Sequence, residues 1–154
     1  MSEYNFYADA EAARLVLHAF APHCPTTLVT WEFCLDHITP WQFIEDSWVG
    51  RERNVRERFA HQVLQPLIRL CRGRRPGIAI ADAYAAACVL DPACVLEARE
   101  GCQVDVVTHE GLTRGMLAYN ERDRKAPGFV GPVRVCTRMD MSRYERLLLA
   151  SVEM

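Results

Sequence analysis

The segment formed by residues 82–90 (DAYAAACVL) restricts the fold of this chain more than any other feature of its sequence. After Asp82 its residues are apolar all round, and Asp91-Pro92 ends the run. A helix without a polar face has to be buried among other elements. We therefore predict a buried helix here, with the Asp82 carboxylate at its N-cap.

Other helices are predicted where apolar residues recur at helical spacing. Asp9 can cap the first, which runs to about Phe20, and further helices cover about 40–48, 51–72 and 141–152. Pro66 predicts a kink or a break in the helix over 51–72. The apolar face of the first helix consists of Leu15, Val16, Ala19 and Phe20. The apolar stripe over 51–72 consists of Val55, Phe59, Val63, Leu67 and Leu70, and that of the last helix of Tyr144, Leu148 and Val152.

Strands are predicted between these helices and towards the end of the chain. The β-branched run 26–30 (TTLVT) is typical of a buried strand. Glycines separate three strand-like segments, 95–98, 103–108 and 112–119, which suggest an antiparallel meander, and residues 133–137 form a further strand. The mixture predicts a single α/β domain over 1–154, with helices around a mixed sheet and an antiparallel β-meander near the C-terminus.

The charge and the cysteines narrow the class of protein. The 154 residues carry a formal net charge of −2, which argues against a nucleic-acid binder or a binder of anionic membranes. No apolar run approaches the length of a membrane span. The seven cysteines are odd in number and lack C-x-x-C spacing, which favours buried thiols in a reducing, cytoplasmic setting over a disulfide framework.

The first candidate site residues are Glu3 and Asn5. They lie two positions apart, so on an extended segment their side chains would point to the same side. A carboxylate beside an amide can hold sugar hydroxyls as acceptor and donor. The alternative is that both side chains are solvated surface groups.

Asp82 is the second candidate, either as a plain helix cap or as a ligand of a hard cation or a hydroxyl group. The segment 110–115 (EGLTRG) is predicted to form a hairpin turn. The five histidines are scattered without the spacing of a zinc site, and we predict that they are surface residues.

Taken in order, these segments resemble the inosine–uridine-preferring nucleoside hydrolases. Their E-F-N-x-x-x-D-P-E-A-A motif is similar to E-Y-N at 3–5 followed by D-A-E-A-A at 9–13. Their H-D-x-x-A segment and the L-D-P after it are similar to residues 81–85 and 90–92. Their glycine-containing L-T-x-G meander is similar to residues 107–115.

The resemblance implies the hydrolysis of the N-glycosidic bond of a ribonucleoside to ribose and a free base. It also implies that Glu3, Asn5 and Asp82 hold the ribose hydroxyls and that Asp82 is a ligand of calcium. It leaves the catalytic residues of this chain unassigned. The histidine that precedes the aspartate in the family, a proposed acid for the leaving base, is Ala81 here.

The D-x-D-x-x-x-D-D cluster of the family does not occur in this sequence. We therefore expect the chain to correspond to the C-terminal part of the family's fold. It would then expose apolar surface or an unpaired strand edge, and form a homo-oligomer or associate with an N-terminal half. Three hypotheses stay open: an enzyme represented by its C-terminal half, a nucleoside-binding or regulatory module that has lost the chemistry, and a truncated product.

Overall fold

The computed structural model describes residues 2–48, 50, 53–120 and 126–153 and mixes helices with strands, as the sequence predicts. The chain forms two compact units. The first comprises Met1–Trp31 and Glu97–Thr137, and the second comprises Glu32–Leu96 and Arg138–Met154.

The first unit is built on a sheet with two helices packed on it. Helices α1 (Tyr4–Ala8) and α2 (Ala10–Phe20) precede strand β1 (Thr26–Leu28). The longer strands that complete this sheet are β4 (Val95–Val106), β5 (Leu117–Asn120) and β6 (Val130–Met139), in the order β1-β6-β4-β5. Because β1 pairs with β6 in parallel and β4 with β5 antiparallel, the sheet is mixed, which confirms the predicted class.

The core of the first unit follows from the two-residue period of its strands. Alternate residues of a strand point to the same face, and on β4 the inward set is Cys102, Val104 and Val106. Helix α2 packs on that face through Ala10 and Leu17. The helix begins where predicted, because the Asp9 carboxylate accepts from the Ala12 amide at 2.8 Å.

The predicted apolar face of α2 is wrong. Leu15, Val16 and Phe20 are 71%, 53% and 56% exposed, whereas Ala10 and Leu17 are buried. The face with the small alanine side chains lies on the sheet, where it allows close approach, and the large apolar side chains point outward.

The second unit is mainly helical. Its elements are α3 (Trp31–Asp36), β2 (Thr39–Pro40), α4 (Trp41–Phe43), a π-helical turn (Ile44–Trp48), α5 (Val55–Cys71), β3 (Gly77–Ile78), α6 (Ala81–Leu90), a 3-10 turn (Pro92–Cys94) and α7 (Met141–Glu153). The first residue of α3, Trp31, belongs to the first unit. Strands β2 and β3 pair antiparallel. The core contains the rings of Tyr84 and Tyr144, whose centroids are 4.7 Å apart. Helix α7 buries Tyr144, Leu148 and Val152, which confirms its predicted face.

Helix α6 is less buried than its composition predicts. Only Tyr84 and Ala87 are buried, and Val89 and Leu90 are 80% and 75% exposed. An apolar surface of α6 is therefore exposed. The sequence shows correctly that α6 has no polar face, but composition alone does not say which elements cover it.

Helix α5 also differs from its prediction. The predicted start at Arg51 lies outside the described residues, and the helix begins at Val55 with Asn54 as its cap. Pro66 lies inside the helix, which continues to Cys71. The predicted apolar stripe is exposed, and the buried residues are Glu57 and Ile68.

The meander has fewer breaks than predicted. Gly101 lies within β4 with φ of +68°, so residues 95–98 and 103–106 belong to one strand. Residues 112–115 form a turn, and the strand begins only at Leu117 and runs to Asn120. No disulfide joins the seven cysteines, all of which lie in the described part of the chain. Among the described helices, none is long and apolar enough to cross a membrane.

Candidate functional site

A cavity of about 510 Å³ lies beside α1 in the first unit. It is lined by Ser2, Glu3, Tyr4, Tyr7 and Trp31. Tyr4 and Tyr7 are 79% and 57% exposed, so their rings are available to a ligand. Aromatic rings provide flat apolar contact, and a carboxylate accepts hydrogen bonds from hydroxyl groups. This combination fits a ligand that carries both a flat ring and hydroxyl groups.

Glu3 directly precedes α1 and is its N-cap. Its Oε2 accepts from the backbone amides of Asn5 at 2.9 Å and Phe6 at 3.2 Å. Capping leaves a helix with fewer unpaired amides at its start, which explains why a helix begins directly after Glu3. The sequence signal for this role was the carboxylate two and three positions before those amides.

The predicted extended Glu3–Asn5 pair is therefore wrong. Asn5 lies in the first turn of α1, where successive side chains rotate by about 100°, so the two side chains do not share one side of a strand. Asn5 is exposed and is not among the residues that line the cavity. Of the predicted sugar-binding pair, only Glu3 lines this cavity.

Asp82 lies in the second unit, in the first turn of α6. Its predicted role as N-cap is wrong, because Ile80 occupies the cap and no side chain bonds to the free amides there. Asp82 is exposed. A carboxylate in the first turn still interacts favourably with the helix dipole.

The described residues do not fit a calcium ion on their own. Within residues 2–48, 50, 53–120 and 126–153, no group of three or more His, Cys, Asp or Glu side chains is placed to hold a metal. Calcium takes roughly six to eight oxygen ligands, and Asp82 supplies one carboxylate.

A polar cluster that the sequence did not reveal joins α2 to β4. Arg14 Nε lies 2.7 Å from Oδ1 of Asp105, and His18 Nε2 lies 3.0 Å from the same oxygen. Burial acts to raise the pKa of Asp105, but the hydrogen bonds from Arg14 and His18 hold it below its usual value. The helical spacing of Arg14 and His18 is visible in the sequence, but their partner lies about 90 residues away.

A second cavity, of about 310 Å³, lies in the second unit. Its lining includes Glu45, His61, Gln65 and Arg69. Glu45 is paired with Arg72 at 2.7 Å. Among the described residues, its lining contains no Phe, Tyr or Trp side chain, so it offers less flat apolar surface to a ring than the cavity beside α1.

The turn predicted over 110–115 is present between β4 and β5. Its base is closed by the Gly115 amide, which donates to the Val107 carbonyl at 2.8 Å, and by the Val107 amide, which donates to the Met116 carbonyl at 3.0 Å. Residues 107–116, called here the β4–β5 turn, thus form the hairpin connection that the glycines predicted.

Comparison with known proteins identifies the family. The model of the family described as inosine-uridine preferring nucleoside hydrolase matches residues 1–146. The structure of an inosine-guanosine nucleoside hydrolase superimposes with a TM-score of 0.83 at 25% identity, over 99% of this chain and 46% of that one. A plant nucleoside hydrolase shares the fold, with a TM-score of 0.79 at 18% identity over 97% of this chain and 47% of that one. No curated protein sequence matches the chain.

The present chain thus spans just under half the length of these two structures. The family match nevertheless extends over nearly all of it, from residue 1 to residue 146. The chain belongs to the inosine-uridine preferring nucleoside hydrolase family.

Proposed function

We propose that this chain provides the ribose- and base-binding part of a nucleoside N-ribohydrolase. The reaction is hydrolysis of the N-glycosidic bond of a ribonucleoside, such as inosine or uridine, to ribose and a free base. The family match over residues 1–146 carries this proposal. The aromatic cavity beside α1 supports it, because a nucleoside has the ring and the hydroxyl groups that this lining suits.

Glu3 is the proposed contact to the ribose. Its Oε2 is engaged by the two α1 amides, which leaves Oε1 to accept from a ribose hydroxyl. Cleavage of a glycosidic bond develops positive charge on the sugar, and a nearby carboxylate stabilises that charge. The hydrogen bonds from the Asn5 and Phe6 amides keep the Glu3 carboxylate in one orientation, so it needs little reorganisation when the ligand binds.

Tyr4, Tyr7 and Trp31 are the proposed contacts to the base. Exposed aromatic rings stack on a flat heterocycle and contribute about 1–3 kcal/mol per stacked base. Such contacts depend on ring area more than on hydrogen-bond pattern, which suits a site for both purine and pyrimidine nucleosides.

Asn5 and Asp82 are proposed as further ribose contacts on the strength of the family resemblance. The methyl side chain of Ala81 carries no acidic proton, so protonation of the leaving base has to come from another group. Calcium is implied by the family, but the described residues offer too few ligands for it, and we assign no step of the reaction to it.

A nucleoside-binding module without hydrolytic activity is the second proposal. The alanine at position 81 favours it, because this position holds a histidine in the family motif to which it is similar. Binding would then need Glu3 and the aromatic residues but no leaving-group acid.

We further propose that the protein is cytoplasmic and self-associates. The thiols support the first point, since no disulfide joins any of the seven cysteines. Exposed apolar side chains on α2, α5 and α6 support the second.

Calorimetric titration with inosine, uridine and ribose, and an assay of ribose release with calcium or with a chelator, test these proposals. We expect nucleoside binding that weakens at least tenfold in Glu3→Gln. Asp36→Asn is the matched control, because Asp36 is an exposed carboxylate that lines neither cavity. Binding without release of ribose would support the binding module, and the absence of binding would reject both proposals.

A further inference from the structure

The β4–β5 turn lies directly against α1. Gly115 in this turn has φ of +76°, a conformation that favours glycine. A Cβ atom at Gly115 would lie 2.6 Å from Cα and 2.7 Å from N of Tyr7. Because these neighbours are backbone atoms, they cannot rotate away as a side chain could. Only glycine lets the turn and α1 approach each other this closely.

Arg114, the preceding residue, ties the same turn to α2. Its guanidinium donates two hydrogen bonds to the Glu11 carboxylate, at 2.9 and 2.5 Å, and also donates to the Thr108 carbonyl. The Arg114 side chain is only 19% exposed. A two-pronged pair of this kind fixes direction as well as distance, which a single ion pair does not.

Glu11 lies in the first turn of α2, which is joined to α1 by the single residue Asp9. Asp9 is both the last cap of α1 and the first cap of α2, so a group that holds the start of α2 also holds the end of α1. Phe6 anchors the inner side of α1 by packing against the core of the first unit. The other side of α1 carries Tyr4 and Tyr7, which line the 510 Å³ cavity.

We infer that Arg114 and Gly115 are positioning residues for the nucleoside cavity, because together they fix the place of α1 against the β4–β5 turn. This inference rests on the proposed function. It assigns a role in ligand binding to a segment whose sequence predicts only a hairpin turn. A displacement of reacting or binding groups by about 1 Å can cost on the order of a hundredfold in function, so small shifts of α1 have large effects.

The test compares the unsubstituted chain with Gly115→Ala and Arg114→Lys, using titration with inosine and uridine together with amide hydrogen exchange. We expect the dissociation constant for the nucleosides to rise about tenfold or more in Gly115→Ala and less in Arg114→Lys. Lysine keeps the positive charge but cannot make the two parallel hydrogen bonds of the guanidinium. We also expect faster exchange at the Asn5 and Phe6 amides, which Glu3 caps. The lysine variant keeps the inference testable if Gly115→Ala does not fold.

Gly101→Ala is the matched control. Gly101 lies in the same unit and has φ of +68°, but a Cβ atom there would meet nothing within 4 Å. Its substitution imposes a similar backbone strain without a contact to α1. We expect lower stability in this variant, with nucleoside affinity and α1 exchange unchanged.

The outcomes separate the positioning role from the proposed function. Absence of nucleoside binding by the unsubstituted chain rejects the proposed function and the positioning role with it. Binding that is equally tight in Gly115→Ala and Arg114→Lys overturns the positioning role alone. Equal losses of affinity in Gly101→Ala and Gly115→Ala also overturn it, because they would trace the effect to stability.

Discussion

Arg14 and Asp105 join helix α2 to strand β4 through a 2.7 Å contact between Nε and Oδ1. The two residues are 91 positions apart in the chain, and the Asp105 side chain is only 23% exposed. His18 contacts the same carboxylate oxygen at 3.0 Å, so one carboxylate joins two side chains of α2 in a polar network. This network stabilises the choice of which α2 face lies on the sheet.

Asp105→Asn is expected to destabilise the fold by about 1–2 kcal/mol at pH 7, because Arg14 loses its charged acceptor. The pKa of Asp105 is lowered in the folded state, against the opposing effect of burial, by hydrogen bonds from Arg14 and His18. Its stabilising effect is therefore complete above the unfolded pKa of about 3.9 and is lost as the pH falls through the folded pKa. Urea unfolding of the unsubstituted chain and of Asp105→Asn between pH 7 and pH 2 gives the difference in their free energies of unfolding. A difference that stays constant down to pH 2 would contradict it.

Tyr84→Phe is expected to cost about 1–3 kcal/mol, because it removes a buried hydroxyl from two partners. The Tyr84 hydroxyl donates to the His37 carbonyl and lies 3.0 Å from Thr39 Oγ1, which is fully buried. Thermal or urea unfolding gives the measurement. Tyr119→Phe is the control: Tyr119 is 51% exposed, and we expect a change within about 0.5 kcal/mol. Equal effects of the two substitutions would show that the hydroxyl of Tyr84 is not specifically bound.

His37 is expected to carry its proton on Nδ1 when neutral. The Met139 amide donates to Nε2 at 3.0 Å, so Nε2 has to be the acceptor, and Nδ1 then donates to the Phe33 carbonyl at 2.7 Å. Long-range nitrogen–proton NMR distinguishes the two tautomers directly. The exposed His23 serves as the internal comparison and should show averaged signals. A dominant Nε2–H form at His37 would be inconsistent with the structure.

Substitution of the exposed apolar stripe of α5 is expected to reduce self-association. Phe59 and Val63 are 67% and 60% exposed, so Phe59→Glu and Val63→Lys should change the free energy of unfolding by no more than about 0.5 kcal/mol. Sedimentation velocity should show a shift towards the monomer. Ile68→Glu is the contrasting variant, because Ile68 is buried and a charge there is expected to prevent folding. Unchanged sedimentation of the two surface variants would exclude this stripe as the contact.

Local sequence patterns were sufficient to predict the features that depend only on residues close together in the chain. The cap at Asp9, the face of α7 that buries Tyr144, and the glycine-containing β4–β5 turn all follow from residues within a few positions. The order of three motifs also indicated the family, which the match over residues 1–146 confirms.

The sequence by itself determined the α/β class, the Asp9 cap of α2, the buried face of α7 and the family. Only the tertiary structure decided that α2 buries its alanine face and that Gly115 sets how closely the turn approaches Tyr7. The physical reason is that caps and periodicity are local, whereas burial depends on elements far away in the chain. An apolar stripe specifies a face that can be covered, and the partner that covers it is chosen by packing.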